Sequence, residues 1–388
     1  MKSFDCVVVG GGMVGAASAL TLAQLGLSVA LVERTYPAEF SLEQSFDLRV
    51  SAISLASQYL LEQLEAWQVL KNWRICPYRR LGVWEVSQAY TEFNAQDIHQ
   101  SHLGHIIENR LIQLALWQKI DQQKNIELLC PESLVSFEQN NQQVTIQLSK
   151  QQITAKVLIG ADGARSQVRE LANIGTTGWD YQQAAMLINV ETALPQQDIT
   201  WQQFMPTGPV AMLPLSGHHA SLVWYHDKAE IKRLAQMTNS QLSLAIKQSF
   251  PHRLGEIKVL DKASFPLTRR HANQYQQGRL LLLGDAAHTI NPLAGQGVNL
   301  GFKDVKALQS VMAKAIGEGR SWHDSSTLAL YEKARRQDNL LMMTTMDALY
   351  AGFSHKSTLV KMVRNGGLIL ADKLPFLKNK ALAYACGI

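Results

Sequence analysis

The sequence predicts an α/β fold: a Rossmann-like domain built from separated stretches of chain, with an inserted antiparallel sheet and a C-terminal helical segment. Three observations carry this reading. The amino end holds a strand, a glycine-rich turn, a helix and a second strand. The middle of the chain alternates in Trp-, Val- and Leu-rich segments with proline-marked turns. The chain then returns to a fully apolar strand followed by a long helix. With 388 residues, 46% of them apolar, it can bury the core of one large or two fused domains.

In order, residues 4–9 read as a strand, 13–25 as a helix and 28–33 as a strand, with Gly26 where a helix end wants a left-handed residue. The spacing of Ile107, Leu111, Leu114, Ala115 and Gln118 predicts a helix over 106–123, and strands follow at 126–129 and 144–148. Residues 156–160 form a short apolar strand running into glycines. From about 177 to 268 the alternation predicts the antiparallel sheet, including 220–225. Residues 279–283 read as a buried strand, 298–315 as a long helix, and 321 onward as helical.

Charge and cysteine usage narrow the class. The net charge is +5. Lys356, Lys361, Arg364, Lys373, Lys378 and Lys380 face only Asp372 in the last stretch, so the remainder is balanced. No basic face with stacking aromatics is legible, which argues against nucleic acid. A basic, moderately apolar tail suits either a docked helix with a solvated face or peripheral contact with an anionic membrane. Cys6, Cys76, Cys130 and Cys386 are scattered, and no targeting segment is read at Met1, so a cytoplasmic location is expected. His99, His102 and His105 lack a nearby acid or cysteine at ligand spacing, so no metal is expected.

Three motifs carry chemistry. The first is Gly10-x-Gly12-x-x-Gly15 between strand and helix, with Glu33 and Arg34 closing the second strand. Gly10 permits the turn, Gly12 lets a pyrophosphate approach, and Gly15 lets helix and strand pack. Free amides face the phosphates at the helix start, and an acid at Glu33 suits ribose hydroxyls. The pattern alone does not separate NAD from FAD. The second motif is Gly160-Ala-Asp162-Gly163-Ala-Arg-Ser-Gln-Val-Arg169 after a strand, with Asp162 and Gly163 making a turn. The third is Gly284-Asp285-Ala-Ala-His288, then Pro292, Gly295-Gln296-Gly297 and Asn299. An acid at the end of a buried strand can accept hydrogen bonds from a polyol chain, and glycines let backbone lie against a flat ring. For His288 a structural hydrogen bond is at least as good a reading as proton transfer. Trp201 and Trp224 read as core.

Together these motifs resemble the flavoprotein aromatic hydroxylases that share the p-hydroxybenzoate hydroxylase fold, across nearly the whole chain. Within that group the stretch 284–301 resembles the ubiquinone-biosynthesis hydroxylases. Segments 77–81, 200–204, 221–225, 265–272 and 350–354 resemble one member of them, which acts on a polyprenylated benzoquinol. The resemblance implies an FAD-binding, glutathione-reductase-like domain in three parts (1–75, 105–176, 273–320). It implies a substrate-lobe segment (76–104), an antiparallel substrate domain (177–272) and a helical end (321–388).

It also implies FAD contacts for Gly10, Gly12, Gly15, Glu33, Arg34, Arg49, Arg110, Asp162, Asp285, Pro292, Gly295, Gly297 and Asn299. The turn of Pro292, Gly295, Gln296 and Gly297 would lie beside the flavin, and no conventional catalytic acid or base is assigned. O2 is the implied co-substrate, and a flavin C4a-hydroperoxide would hydroxylate the quinol ring. Electrons would come from NAD(P)H directly or through a separate reductase, since no second dinucleotide motif is present. A multi-enzyme ubiquinone-biosynthesis assembly is a further implied partner. The segments 210–215 and 265–267 are candidate walls of the ring pocket. Competing readings are a hydroxylase of another ring position, a flavin-dependent prenyl reductase, and a flavin-binding scaffold without catalysis.

Overall fold

The computed structural model of the chain describes residues 1–290, 295, 297–354, 365 and 374–388. Strand Lys2–Val9 is apolar in its second half, where Cys6, Val7, Val8 and Val9 are buried. Such a run suits the interior of a parallel sheet covered on both faces. It lies between Gln152–Gly160 and Val29–Val32, parallel to both. The full order is Gln276–Gln277, Leu280–Leu282, Gln152–Gly160, Lys2–Val9, Val29–Val32, Ile126–Leu129. Strands Val144–Leu148 and Leu134–Gln139 extend the sheet antiparallel from Gln152–Gly160. Helix Met13–Gln24 packs on this sheet and against helices Asn109–Ile120 and Gly297–Gly317. Gly26 sits just past its end at φ +81°.

A second eight-stranded sheet runs His288–Thr289, Ile257–Ala272, Thr176–Thr192, His219–Asp227, Val210–Leu215, Ile199–Gln203, Arg80–Trp84, Thr91–Asn94. It is antiparallel except where Ile199–Gln203 meets Arg80–Trp84. Its outer face buries Met186, Ile188, Trp201, Met212, Leu222 and Trp224 under helices Lys228–Gln236 and Asn239–Ser249. Its inner face packs Ala185, Tyr225 and Leu267 against Met342, Met343 and Met346 of helix Ser325–Ser354. A small sheet of Val50–Ser54, Gly104–Glu108 and Cys76–Tyr78 stands beside them.

Two expectations are corrected. The spacing over 106–123 predicts one helix, but Gly104–Glu108 is a strand and the helix is Asn109–Ile120. Ile106 pairs with both Ala52 and Cys76, and a β-branched residue flanked on two sides belongs in a sheet. The stretch 177–268 is an antiparallel sheet, yet it also holds the two helices of the outer face. Helix Asn239–Ser249 carries a legible signal: Thr238 and Gln241 form a reciprocal capping box.

Candidate functional site

The three motif turns hang from the carboxyl ends of adjacent parallel strands. Val9 is the register partner of Gly160, and Gly160 of Leu282. Backbone bonds continue past the strands, from Ala161 N–H to the Val9 carbonyl (2.8 Å) and from Leu283 N–H to the Gly160 carbonyl (2.9 Å). Ligands of open α/β sheets bind at such strand ends.

At the first turn Gly10 holds φ +103°, and a Cβ there would meet the Ala161 carbonyl oxygen at 2.5 Å. A Cβ at Gly15 would lie 1.8 Å from the Gly10 carbonyl oxygen. Gly12, by contrast, faces open space. It caps helix Met13–Gln24 with no side-chain cap and no acid in the first turn, so the amide end of the helix stays free for an anion. Glu33 Oε2 accepts the Gly11 N–H at 2.7 Å, and Oε1 accepts the Arg34 N–H at 2.6 Å. Two residues that sequence reasoning missed hold the turn from behind: Gln113 Nε2 and Trp117 Nε1 both donate to the Gly11 carbonyl (2.8 and 2.7 Å).

At the second turn Asp162 Oδ2 accepts the Val168 N–H at 3.0 Å, while Oδ1 is buried without a hydrogen-bond partner. A buried acceptor left unpaired is costly, and it marks a place where a ligand donor fits. Arg169, the last residue of the second motif, donates to the Ala286 carbonyl (2.8 Å) and the Ala164 carbonyl (2.9 Å), tying the second motif to the third. Arg34 Nη2 reaches Gln167 Oε1 at 2.6 Å and ties the first motif to the second.

The third motif bridges the two sheets: Leu280–Leu282 lies in the first, and His288–Thr289 pairs with Arg270 and His271 in the second. Asp285 sits in the turn between them, exposed to solvent. Enough protein surrounds it that desolvation nevertheless raises its carboxyl pKa, while His288 and Arg49 pull the other way. Asp285 stands at the strand ends, in the groove that an open α/β sheet forms there. Arg49 is thus brought to Asp285, with its own side chain exposed. Gly295 takes φ +63°, and a Cβ at Gly297 would meet none of the described residues at the start of helix Gly297–Gly317, whose first turn has no acid.

Other expected contacts are placed differently. Asn299 is buried, with Oδ1 accepting from Ser54 N–H (3.0 Å) and Ser57 Oγ (2.7 Å) and Nδ2 donating to Ala52 O (2.8 Å). It fastens the glycine turn to strand Val50–Ser54 rather than facing the groove. The Arg110 guanidinium is engaged by both Asp47 oxygens (2.9 and 2.8 Å) and by the Ala38 and Glu39 carbonyls. As arranged, it secures the 38–47 loop. Pro292 and Gln296 lie outside the described residues. His288 is buried and bonded through Nε2 to Asp304 Oδ2 at 2.6 Å, the structural reading.

The glycine cradles, the free start of helix Met13–Gln24, the unpaired Asp162 oxygen and two carboxylates along one groove fit a dinucleotide such as FAD. The second sheet supplies the facing wall. Its inner face shares a cluster with Ile290 and Leu300 of the third motif, and so looks toward the groove. Leu187, Val223, Ala211, Gln202 and Val83 are register partners in one row across five strands. All five are half-buried, whereas Met186, Trp224, Val210 and Trp84 in the adjoining row are buried. A mostly apolar row with one amide suits a substrate ring better than a closed core. Of the segments 210–215 and 265–267, Leu267 is buried in the inner-face cluster with Phe265 packed against it, whereas Leu213 and Leu215 pack with Ala52, Cys76 and Ile106. A separate cavity of about 470 Å³ beside Trp84, Tyr90, Phe250 and Arg253 contains no residue of the three motifs.

The family profile described as "FAD binding domain" matches residues 3–344. The chain is 45% identical to the 3-demethoxyubiquinol 3-hydroxylase of Escherichia coli K12, covering 99% of this chain and 98% of that protein. It is 34% identical to the ubiquinone hydroxylase UbiL of Rhodospirillum rubrum (100% and 90% covered). To the ubiquinone biosynthesis monooxygenase COQ6 of Danio rerio it is 31% identical (98% and 89% covered). In structure it is similar to p-nitrophenol 4-monooxygenase PnpA of Pseudomonas putida DLL-E4. That likeness has a TM-score of 0.82 at 20% identity, covering 98% and 97% of the two chains, and speaks to fold alone.

Proposed function

The chain belongs to the FAD binding domain family, and on that footing we propose that it hydroxylates the ring of a polyprenylated benzoquinol in ubiquinone biosynthesis. The ring position is the one named for its E. coli relative, a 3-demethoxyubiquinol 3-hydroxylase. The chain is an FAD-dependent monooxygenase with O2 as co-substrate. The observation that carries the reading is the convergence of three flavin-type turns on adjacent strand ends, opposite a half-buried apolar wall. Full-length similarity to hydroxylases supports oxygen insertion over prenyl reduction or a scaffold role.

Bound FAD supplies the activated oxygen. The chain's own residues bind, orient and exclude water. Gly10, Gly12, Gly15 and the start of helix Met13–Gln24 would hold the pyrophosphate, with Arg49 as its counter-charge. Glu33 would take the ribose hydroxyls, Asp285 the ribityl chain, and Asp162 Oδ1 a further donor. The backbone amides of Gly295 and Gly297 would hold the isoalloxazine edge. The row Leu187–Val83 would seat the quinol, and no side-chain base is needed because the ring's own hydroxyls activate it. In this reading the FAD domain comprises 1–75, 105–176 and 273–320, and the substrate domain 177–272 with 76–104.

Electrons would come from NAD(P)H, directly or through a reductase. The prenyl tail gives a reason for peripheral membrane contact and for a multi-enzyme assembly. On helix Pro375–Cys386, Phe376, Lys380 and Tyr384 are exposed at four-residue spacing while Leu382 and Cys386 are buried. That face supports interfacial contact. No helix among the described residues is long and apolar enough to cross a membrane. The test is product analysis: holoenzyme, reductant, O2 and demethoxyubiquinol should yield a quinol with one added hydroxyl at the expected carbon. A product saturated in its side chain, or hydroxylated elsewhere on the ring, would refute the assignment.

A further inference from the structure

The mechanism above leaves the fully buried carboxylate of Asp304 unused. Asp304, on helix Gly297–Gly317, has no solvent exposure. Its Oδ2 accepts the Gly284 N–H (3.0 Å) and faces His288 Nε2 (2.6 Å). Its Oδ1 accepts from Arg335 Nε (2.8 Å) and Asn339 Nδ2 (3.2 Å). Those four partners fill the acceptor sites a carboxylate has, about four in all. Gly284 precedes Asp285, so the acid in the groove and the helix that starts at Gly297 are fixed to each other through one side chain. Burial alone would raise the Asp304 carboxyl pKa; His288 and Arg335 outweigh it and hold it low.

Arg335 stands on helix Ser325–Ser354, and its remaining donors go to Asp338 Oδ2 (2.5 Å) and Asn339 Oδ1 (2.6 Å). Further along the same helix, Asp347 Oδ2 pairs with Arg269 Nε at 2.7 Å, and the Tyr181 hydroxyl donates to Asp347 Oδ1. Arg269 and Tyr181 belong to the two paired strands Ile257–Ala272 and Thr176–Thr192 of the second sheet. The Arg269 guanidinium also lies over Trp179 at 4.4 Å. From Arg335 to Asp347 is about 18 Å of helix at the usual rise. Between them Met342, Met343 and Met346 pack into the inner face of that sheet.

We propose that helix Ser325–Ser354 is a strut that sets the distance between the third motif and the substrate wall. Asp304–Arg335 fixes one end and Asp347–Arg269 the other. The four are positioning residues, since none faces the groove itself. The inference rests on the functional reading, because a hydroxylase transfers oxygen only when ring carbon and flavin are held at close approach. A sheet that drifts from the motif still lets the flavin consume oxygen, but the oxygen leaves as hydrogen peroxide.

The two ends therefore separate in experiment. With FAD-loaded protein, photoreduced and mixed with O2 and demethoxyubiquinol, Asp347→Asn should bind FAD as the unaltered chain does. Its ratio of hydroxylated quinol to O2 consumed should fall by about threefold or more, with hydrogen peroxide making up the difference. Tyr181→Phe, which keeps the ring packing and loses one donor, should shift the ratio less and in the same direction. Asp304→Asn should raise the FAD dissociation constant by roughly tenfold, read by titration of the apoprotein without any turnover. A merely stabilising role would lower the melting temperature of these variants and leave the product ratio alone. Ratios equal to that of the unaltered chain in both Asp347→Asn and Tyr181→Phe, or unchanged FAD affinity in Asp304→Asn, overturn the strut. Absence of hydroxylated product from the unaltered chain overturns the functional reading instead.

Discussion

Glu33 and Gly11 are joined by a 2.7 Å hydrogen bond, the side-chain Oε2 accepting the backbone N–H. The acid at the end of the second strand and the glycine turn at the end of the first are thereby held in register by the protein itself. The nucleotide end of the groove is pre-organised, and its components can be tested one at a time.

Gly12 and Gly15 should respond oppositely to the same methyl group. Gly15→Ala forces a Cβ to within 1.8 Å of backbone and should destabilise the fold by roughly 3 kcal/mol. Gly12→Ala meets nothing and should stay within about 1 kcal/mol of the unaltered chain. It should nonetheless weaken FAD binding, because the methyl enters the anion's space. Chemical denaturation and FAD titration of both variants check this.

Asp285→Ala removes a charged acceptor from the groove. FAD affinity should fall by about 1.5–3 kcal/mol, or roughly ten- to a hundredfold. Flavin absorbance retained after gel filtration reads the loss directly. Full occupancy would remove Asp285 from the site.

Val223→Phe adds bulk in the middle of the half-buried row. KM for the quinol should rise by about tenfold or more while FAD affinity stays unchanged. Equal KM in variant and unaltered chain would place the ring elsewhere.

Burial pushes the His271 imidazole down to about 4, with Arg336, His288 and Arg269 adding to the effect. Burial and then His102 take His105 down to about 3. Unfolded, both protonate near 6.5. Between those values the unfolded chain binds more protons than the folded one, so stability falls as pH drops below about 6.5 and is unaffected by these groups above 7. His271→Gln should flatten the fall in urea midpoint between about pH 7.5 and pH 5.

The exposed stripe of Phe376, Lys380 and Tyr384 should bring the full chain down with anionic vesicles at low salt and release it as ionic strength rises. Phe376→Ser with Lys380→Glu should abolish sedimentation. Equal sedimentation with neutral vesicles would contradict an electrostatic contribution.

What was legible in the sequence is what local spacing encodes. The strand–turn–helix–strand unit, Glu33 and the motif around Asp285 all follow from short-range geometry. The position of Asn299 was also legible, but not its task, because its partners Ser54 and Ser57 are far away in sequence. Asp304 gave no signal: nothing near it in the chain shows that Gly284, Arg335 and Asn339 will converge there. Arg110 looks like a phosphate ligand until Asp47 and the 38–39 carbonyls are folded onto it. Residues 106–108 of strand Gly104–Glu108 fall within the helical spacing of 106–123 because adjacent isoleucines fit either period, and only pairing decides between them.

One experiment reaches the central claim directly. Photoreduced, FAD-loaded protein is mixed with ¹⁸O₂ and demethoxyubiquinol for a single turnover, and the quinol is analysed by mass spectrometry. The account predicts one labelled oxygen on the ring, in amount approaching the bound flavin. Unlabelled quinol recovered intact, from a flavin that has been reoxidised, would contradict it.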